Sequence, residues 1–372
     1  MQQDSYRFLE ELMRAPSPSG FEEPAQSVVF DRMKGFCDSV DTDVHGNVIG
    51  VLNAGAALRV MLAGHVDQIG LMIKHITKEG YLHFDDIGGI DVATLPTQRV
   101  IIHAAGGTVR GIIGRKAIHL TDEAERKKVA KIDKLWIDIG AGSKEAAEKR
   151  VSVGDPVTFD APVLRLEGEQ VAAAGFDDKV GSFVVAETMR LLSRKKLKVA
   201  VYGVSTVQEE LGLRGARTSA FGIDPHAGIA VDVDHATDYP DASKAIGGEV
   251  TLGKGPVLSR GGNINRVLGD ALVSAAKKHK IPHQMSADPR ATGTDANAIQ
   301  ISRAGVAAAL VGIPNRYMHT TVEVVSLDDL GNAAKLVAAL LADMPDRVDF
   351  RPLNAHRRGS RPRPGRDTGA RK

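Results

Sequence analysis

A change of pattern in the middle of the chain restricts the folds that this sequence can adopt. Residues 68–163 consist of short apolar stretches, such as IGLMIKHI and GTVRGIIG, separated by glycine-rich or charged turns. Short strands at close spacing are typical of a small all-β barrel or sandwich. On either side, longer apolar strands alternate with amphipathic helices. The predicted fold class is therefore α/β: a mixed sheet with helices on both faces, carrying an inserted small all-β barrel domain.

The domain boundaries follow from the same pattern. Residues 1–67 and 164–345 are predicted to form one discontinuous α/β domain, and residues 68–163 to form the inserted barrel domain. Residues 346–372 are predicted to be a disordered basic tail. The last 22 residues hold seven Arg and one Lys against one Asp, a charge of +7 that leaves the rest of the chain near −5. They also lack an apolar period that could bury a face.

Composition indicates a soluble globular protein. Of the 372 residues, 43% are hydrophobic and 25% charged, which is enough to build a core without disulfides. Cys37 is the only cysteine, so a reducing compartment is expected. The amino-terminal segment has no apolar signal-peptide region, and no run approaches the roughly 18 apolar residues of a membrane span. We therefore predict a cytoplasmic protein without a membrane partner, and a net charge of +2 gives no reason to require nucleic acid.

Acidic and histidine side chains collect where the predicted strands end or in the loops beside them. In open α/β sheets, ligands bind at the carboxyl ends of the strands. Scattered surface charges would not concentrate at that edge, so the pattern predicts one shared site. The residues concerned are His65, Asp67, Asp177, Asp178, Glu209, Glu210, Asp232 and His319.

The adjacent pair Glu209-Glu210 is the sharpest of these signals. Two neighbouring carboxylates after a buried strand are unfavourable unless positive charge compensates them or both point to solvent. In the first case, one can bind a metal ion while the other acts as a general base for water. Bland alternatives exist for other members: Asp177-Asp178 could cap a helix, and His319 could be structural.

The donor set predicts the kind of metal. Two His, two Asp and one Glu offer mixed nitrogen and oxygen ligands, which suit zinc or a neighbouring first-row divalent ion. Five protein ligands with one bridging carboxylate correspond to two metal ions per subunit. His65 and Asp67 lie on the same face of a strand, so Asp67 could hold the imidazole of His65.

The chain resembles the M42 family of metallo-aminopeptidases, which includes the glutamyl and tetrahedral aminopeptidases. Nine motifs carry the resemblance in order between residues 15 and 330: APSPSGFE, GHVDQIG, AIHLTDEAERKK, LWIDIGAGSKEAA, GFDDKVG, VQEELGLRGA, AVDVDHATD, ATGTDANAI and IPNRYMHTTVEVVSLDDL. The resemblance implies a catalytic domain like that of zinc exopeptidases. It also implies that the inserted barrel drives oligomerisation, with a dimer as building block and a dodecamer as one outcome.

The resemblance further implies a ligand set. One ion would be held by His65, Asp177 and Asp232. The other would be held by Asp177, Glu210 and His319, so that Asp177 bridges the two. Zinc or cobalt would be the metal.

Other roles come from the same resemblance. Glu209 would be the general base, Asp67 would orient a histidine ligand, and the peptide bond between Asp177 and Asp178 would be cis. Thr294 and Asp295, in the motif ATGTDANAI, would help to shape the substrate pocket, although they could equally cap a helix.

The predicted function is metal-dependent removal of N-terminal residues from short peptides, by a water activated by two metal ions, with Glu209 as general base. One alternative is a glycosidase or endoglucanase that uses paired carboxylates and needs no metal. Another is a non-catalytic assembly protein that uses the β-domain, but a scaffold has no need of a five-ligand cluster.

Overall fold

A computed structural model describes residues 1–359, except the side chains of residues 124, 125, 358 and 359. In this part of the chain the α-helices are α1 (Gln3–Arg14), α2 (Glu23–Lys34), α3 (Glu123–Arg126), α4 (Lys144–Glu148), α5 (Phe176–Leu192), α6 (Arg214–Ile223), α7 (Lys244–Gly247), α8 (Arg266–His279), α9 (Asp295–Gln300), α10 (Leu327–Asp343) and α11 (Pro352–Gly359). Within the described residues, no helix is both long and apolar enough to cross a membrane.

The strands fall into a large sheet, a small sheet and a barrel. The first nine are β1 (Ser39–Thr42), β2 (Val48–Leu52), β3 (Arg59–His65), β4 (Gly70–Ile76), β5 (Leu82–Ile87), β6 (Arg99–Ala104), β7 (Gly107–Gly114), β8 (Trp136–Asp138) and β9 (Pro156–Phe159). The remaining strands are β10 (Leu164–Arg165), β11 (Gln170–Ala173), β12 (Ala200–Thr206), β13 (Ala227–His235), β14 (Val257–Gly261), β15 (Gln284–Asp288), β16 (Ala307–Asn315) and β17 (Glu323–Ser326).

The large sheet has eight strands in the order β1-β2-β12-β3-β13-β16-β14-β15. Its centre is parallel, because β3 pairs in parallel with β12 and β13, and β13 with β16, whereas β2 and β14 join it antiparallel. Alternate residues of β3 enter cores on opposite faces: Val60 and Leu62 pack with α5 and α10, while Met61 and Ala63 pack with α6 and α9. The predicted mixed sheet with helices on both faces is confirmed.

The inserted segment closes into a barrel of six strands, in the order β4-β5-β8-β7-β6-β9. Its strands run from Gly70 to Phe159, inside the range 68–163 in which the sequence predicts a small all-β unit. The barrel has a separate core, in which Leu71, Ile73 and Ile137 are fully buried. A small three-stranded sheet, β10-β11-β17, lies outside both the barrel and the large sheet.

The structure corrects the prediction that disorder begins at residue 346. Val348 and Phe350 pack against the main core, and Asn265 donates a hydrogen bond of 2.9 Å from Nδ2 to the carbonyl oxygen of Phe350. Helix α11 then follows. The arginine-rich composition of the whole segment concealed these two apolar anchors. Residues 360–372, the rest of the predicted tail, lie outside the described residues.

Strand β3 and helix α5 approach each other closely near the carboxyl end of β3. This contact places the end of β3 next to Asp177, which lies in the first turn of α5. A Cβ atom on Gly64 would lie 2.6 Å from the carbonyl oxygen of Gly181, which is backbone and cannot rotate away. We expect Gly64→Ala to lower the free energy of unfolding by about 1–3 kcal/mol, since inserted methyl groups force backbone shifts. Denaturant unfolding would measure it. Gly55→Ala is the matched control, because its Cβ would meet no atom within 4 Å; equal stability of the two variants would contradict this account.

Candidate metal centre

Neighbouring strands of the large sheet bring the candidate ligands together at one edge. His65 ends β3, and its register partner Thr206 ends β12, so the loop to Glu209 and Glu210 begins beside it. Asp232 lies near the end of the next strand, β13, and is 5% exposed. The side chain of His319 is the most accessible of the set, at 44%. The predicted convergence at the carboxyl ends of the strands is therefore visible in the structure.

The carboxylate of Asp177 lies between the two imidazoles. Its Oδ1 atom is 3.3 Å from Nε2 of His65, and its Oδ2 atom is 3.3 Å from Nε2 of His319. The peptide bond that joins Asp177 to Asp178 is cis, as the resemblance implied. One carboxylate thus faces a nitrogen donor on each side.

Among residues 1–359, two groups of three side chains could each hold a metal ion. In each group one ligand atom per residue lies within 4.8 Å of the others. The groups are His65, Glu209 and Asp232, and Asp177, Glu210 and His319. The second is the set that the resemblance implied. The first contains Glu209, which the resemblance assigned to proton transfer, although Asp177 lies closer to Nε2 of His65 (3.3 Å) than Glu209 does (3.8 Å).

The donor chemistry and one orphaned atom fit divalent cations. Oε1 of Glu210 is buried and has no hydrogen-bond partner among the described residues, although Nε2 of His319 lies 3.8 Å away. A buried carboxylate oxygen without a partner is costly, and a cation would satisfy it. Imidazole nitrogens mixed with carboxylate oxygens suit zinc and its first-row neighbours.

The raised pKa values of the buried carboxylates also indicate a site for cations. Burial, with repulsion from Asp232, raises the pKa of Glu209 to about 10. Burial, with repulsion from Asp177, raises the pKa of Glu210 to about 8. Burial also raises the pKa of Asp232 to about 8. Carboxylates packed this closely need positive charge nearby to stay ionised. The hydrogen bond from His319 helps to keep the pKa of Asp177 below its usual range despite burial.

Asp67 links the histidine to the glutamate pair. Its Oδ1 accepts a hydrogen bond from the Glu209 amide (2.9 Å), and its Oδ2 accepts from the Glu210 amide (3.2 Å) and from the Ser19 hydroxyl (2.6 Å). Its Oδ1 also lies 3.5 Å from Nδ1 of His65, whose closer partner is the Asp67 backbone oxygen at 2.9 Å. The contact with the glutamate backbone is one that the sequence pattern could not reveal.

Two further acids accept hydrogen bonds from the backbone amides of candidate ligand residues. Glu323, on β17, accepts a hydrogen bond of 3.0 Å from the Asp177 amide, and burial raises its pKa to about 8. Asp178 accepts from the amides of His65 (3.2 Å) and Gly181 (2.9 Å). Sequence reasoning missed Glu323; its only local signal is an acidic residue beginning the apolar strand EVVS.

A cavity of about 670 Å³ opens over the two groups. Thr294 lines it, and although Thr294 occupies the N-cap position of α9, its side chain makes no capping hydrogen bond. Asp295 is 2% exposed; its Oδ2 accepts a hydrogen bond of 2.6 Å from Thr206, and its Oδ1 has no partner among the described residues. Of the two predicted pocket residues, Thr294 thus lines the cavity, whereas Asp295 is buried and is not one of the lining residues.

Comparison with known proteins identifies the family. The sequence profile of the M42 glutamyl aminopeptidases matches residues 46–336, which include every candidate residue above. The chain belongs to the M42 peptidase family. Lysyl aminopeptidase of Pyrococcus furiosus is 39% identical over 351 residues, which cover 93% of this chain and 99% of that protein.

Solved structures agree with this assignment. The TET aminopeptidase of a Thaumarchaeota archaeon from marine sediment superposes with a TM-score of 0.88 at 36% identity, covering 92% of this chain and 97% of that one. The TET1 peptidase of Pyrococcus horikoshii, which can assemble into a tetrahedron or a large octahedral shell, gives 0.81 at 33% identity, covering 91% and 100%. M42 peptidases are metal-dependent hydrolases, and this M42 chain carries residue groups that could hold the metal.

Proposed function

We propose that this M42 peptidase is a two-metal aminopeptidase that removes N-terminal residues from short peptides. The observation that carries the proposal is the Asp177 carboxylate, 3.3 Å from an imidazole on each side. One ion would be held by His65, Asp177 and Asp232. The other would be held by Asp177, Glu210 and His319. Zinc or cobalt suits these mixed donors.

The ions and Glu209 would divide the chemistry. When bound, two divalent cations supply Lewis acidity that activates water and polarises the carbonyl of the scissile peptide bond. The Glu209 carboxylate, 3.8 Å from Nε2 of His65, faces the same cavity. Glu209 would accept a proton from the attacking water and pass it to the leaving amine.

Two acids would act as positioning residues. Asp67 accepts from the amides of Glu209 and Glu210, so it would hold the base and a ligand in a fixed relation. Glu323 accepts from the Asp177 amide and would hold the bridging carboxylate. Hydrogen bonds of this kind orient metal ligands and tune their affinity.

Similar proteins support an assembly of several copies of the chain. The TET1 peptidase of Pyrococcus horikoshii, to which the chain is similar over 91% of its length, can form a tetrahedron or an octahedral shell. We infer a homo-oligomer built from dimers, with a dodecamer as one form. Cytoplasmic location stays a prediction from the sequence. The names of related proteins refer to different N-terminal residues of the substrate: the family is named for glutamyl aminopeptidases, and the Pyrococcus furiosus relative is a lysyl aminopeptidase.

Metal removal tests the proposed function. We expect protein stripped with a chelator and gel-filtered to lose hydrolysis of aminoacyl p-nitroanilides, because its own side chains cannot replace Lewis acidity. Added zinc or cobalt should restore the rate, with two ions per chain by elemental analysis. Full activity without metal would contradict the proposal. Carboxymethylcellulose is the comparison substrate, since its cleavage in the presence of chelator would instead favour the glycosidase with paired carboxylates.

A further inference from the structure

The cavity extends beyond the candidate metal ligands along the large sheet. Its wall there includes two acidic side chains, Asp234 near the end of β13 and Asp288 at the end of β15. Among the described residues that line the cavity there is no Lys or Arg. The imidazole of His235 also lines the cavity, whose wall there carries two acidic side chains and, within the described part of the chain, no lysine or arginine.

The side chain of Asp234 extends across the neighbouring strand β16, where Gly312 has no side chain to block it. A Cβ atom on Gly312 would lie 2.8 Å from Cβ and 3.1 Å from Oδ2 of Asp234, so only glycine leaves room for the carboxylate. The carboxylate reaches the side chain of Ser286 on β15, whose hydroxyl oxygen is 3.0 Å from that of Ser259 on β14. These hydroxyl groups are neutral, so they orient the carboxylate without supplying a positive charge.

The second acid reinforces the first. Asp288 lines the same cavity as Asp234. Two carboxylates in the wall of one cavity favour the binding of a cation from outside. In a substrate cavity, a cationic side chain of the substrate can be that cation.

The spacing fits the side chain of an N-terminal residue. Asp232, a proposed ligand, and Asp234 are two residues apart on β13, so they lie on the same face of the strand, about 7 Å apart along it. A substrate held with its reacting carbonyl at the metal groups would extend its first side chain over that distance. The reach matches an extended lysine, whose four-carbon stem carries a terminal ammonium.

We propose that Asp234 and Asp288 select substrates whose N-terminal residue is lysine or arginine. The inference rests on the proposed aminopeptidase function, since it assigns the pocket for the first side chain. Leu310 and Met318 also line the cavity and offer apolar surface to the methylene stem. A leucine there would leave both carboxylates unpaired, and a glutamate would add a third negative charge.

Selectivity measurements test the inference. For the metal-loaded enzyme we expect kcat/KM to be higher for lysyl and arginyl p-nitroanilides than for the leucyl and glutamyl ones. Asp234→Asn and Asp288→Asn should each lower the values for the two basic substrates by about 10- to 100-fold, a larger loss than on the leucyl substrate. Asp241→Asn is the matched control: Asp241 is exposed, lies outside the cavity wall, and has a positive φ of 65° that asparagine tolerates.

Two outcomes of this assay would overturn the inference. One is a wild-type enzyme whose kcat/KM for leucyl or glutamyl substrates equals its kcat/KM for the basic ones. The other is an equal loss on all four substrates in Asp234→Asn, because that loss would come from the common α-amine or from the metal centre.

A binding measurement separates this inference from the proposed function. Calorimetry with metal-loaded Glu209→Gln protein compares lysinamide with leucinamide and requires no turnover. Tighter binding of lysinamide that Asp234→Asn removes would support the acidic pocket even if the wild-type enzyme hydrolysed nothing, in which case the proposed function alone would fail. Equal binding of the two amides would overturn the inference.

Discussion

Replacing Glu209 with glutamine is expected to lower kcat by about 10²- to 10⁴-fold, the usual contribution of a general base. Glutamine has nearly the same size as glutamate, and the backbone amide of residue 209 can still donate to Asp67. The glutamine side chain, however, cannot take a proton from water. If Glu209 is not a ligand, both ions should remain bound. Steady-state kinetics on an aminoacyl p-nitroanilide, together with elemental analysis of the same preparation, would measure both properties.

The same variant decides between two assignments of Glu209. The geometry groups Glu209 with His65 and Asp232 as a set that could hold an ion, whereas the family resemblance makes Glu209 the base. Loss of one ion together with the rate would make Glu209 a ligand, and a near-normal rate would exclude it as the base. Glu249→Gln is the control, because Glu249 is exposed and outside the cavity wall.

The fold was predictable where periodicity is local. The change of pattern at residues 68–163 predicted the barrel, whose strands run from Gly70 to Phe159. Strand β15 has no comparable signal in the sequence. β15 lies at the edge of the large sheet with alternate residues exposed, so its sequence QMSAD has no apolar run to signal a strand.

The site was predictable where its residues follow the carboxyl ends of parallel strands. His65, Glu209 and Asp232 follow or end neighbouring parallel strands, so the strand-end argument brought them together from spacing alone. The contact between Glu323 and the Asp177 amide joins distant segments through a small separate sheet. No periodicity in the sequence encodes that contact, and only the assembled fold reveals it.

Asp177→Asn is expected to remove both ions and all measurable turnover. The two oxygens of Asp177 each lie 3.3 Å from an imidazole, so the substitution takes negative charge from both proposed ion sites. We expect metal affinity to fall at least about 100-fold. Losing a hydrogen bond to a metal ligand costs about 10- to 100-fold, and this substitution changes the ligand itself. Elemental analysis after gel filtration would measure it, with circular dichroism to confirm folding.

His319→Ala is the matched comparison for that loss. His319 belongs to only one of the two groups, and its half-exposed side chain can be truncated without opening the core. It should therefore release one ion and leave the other on His65 and Asp232. If Asp177→Asn instead kept two ions per chain, or released only as much metal as His319→Ala, Asp177 would not bridge the ions. The centre would then consist of two independent sites, because a carboxylate shared by both ions is what makes their losses coincide.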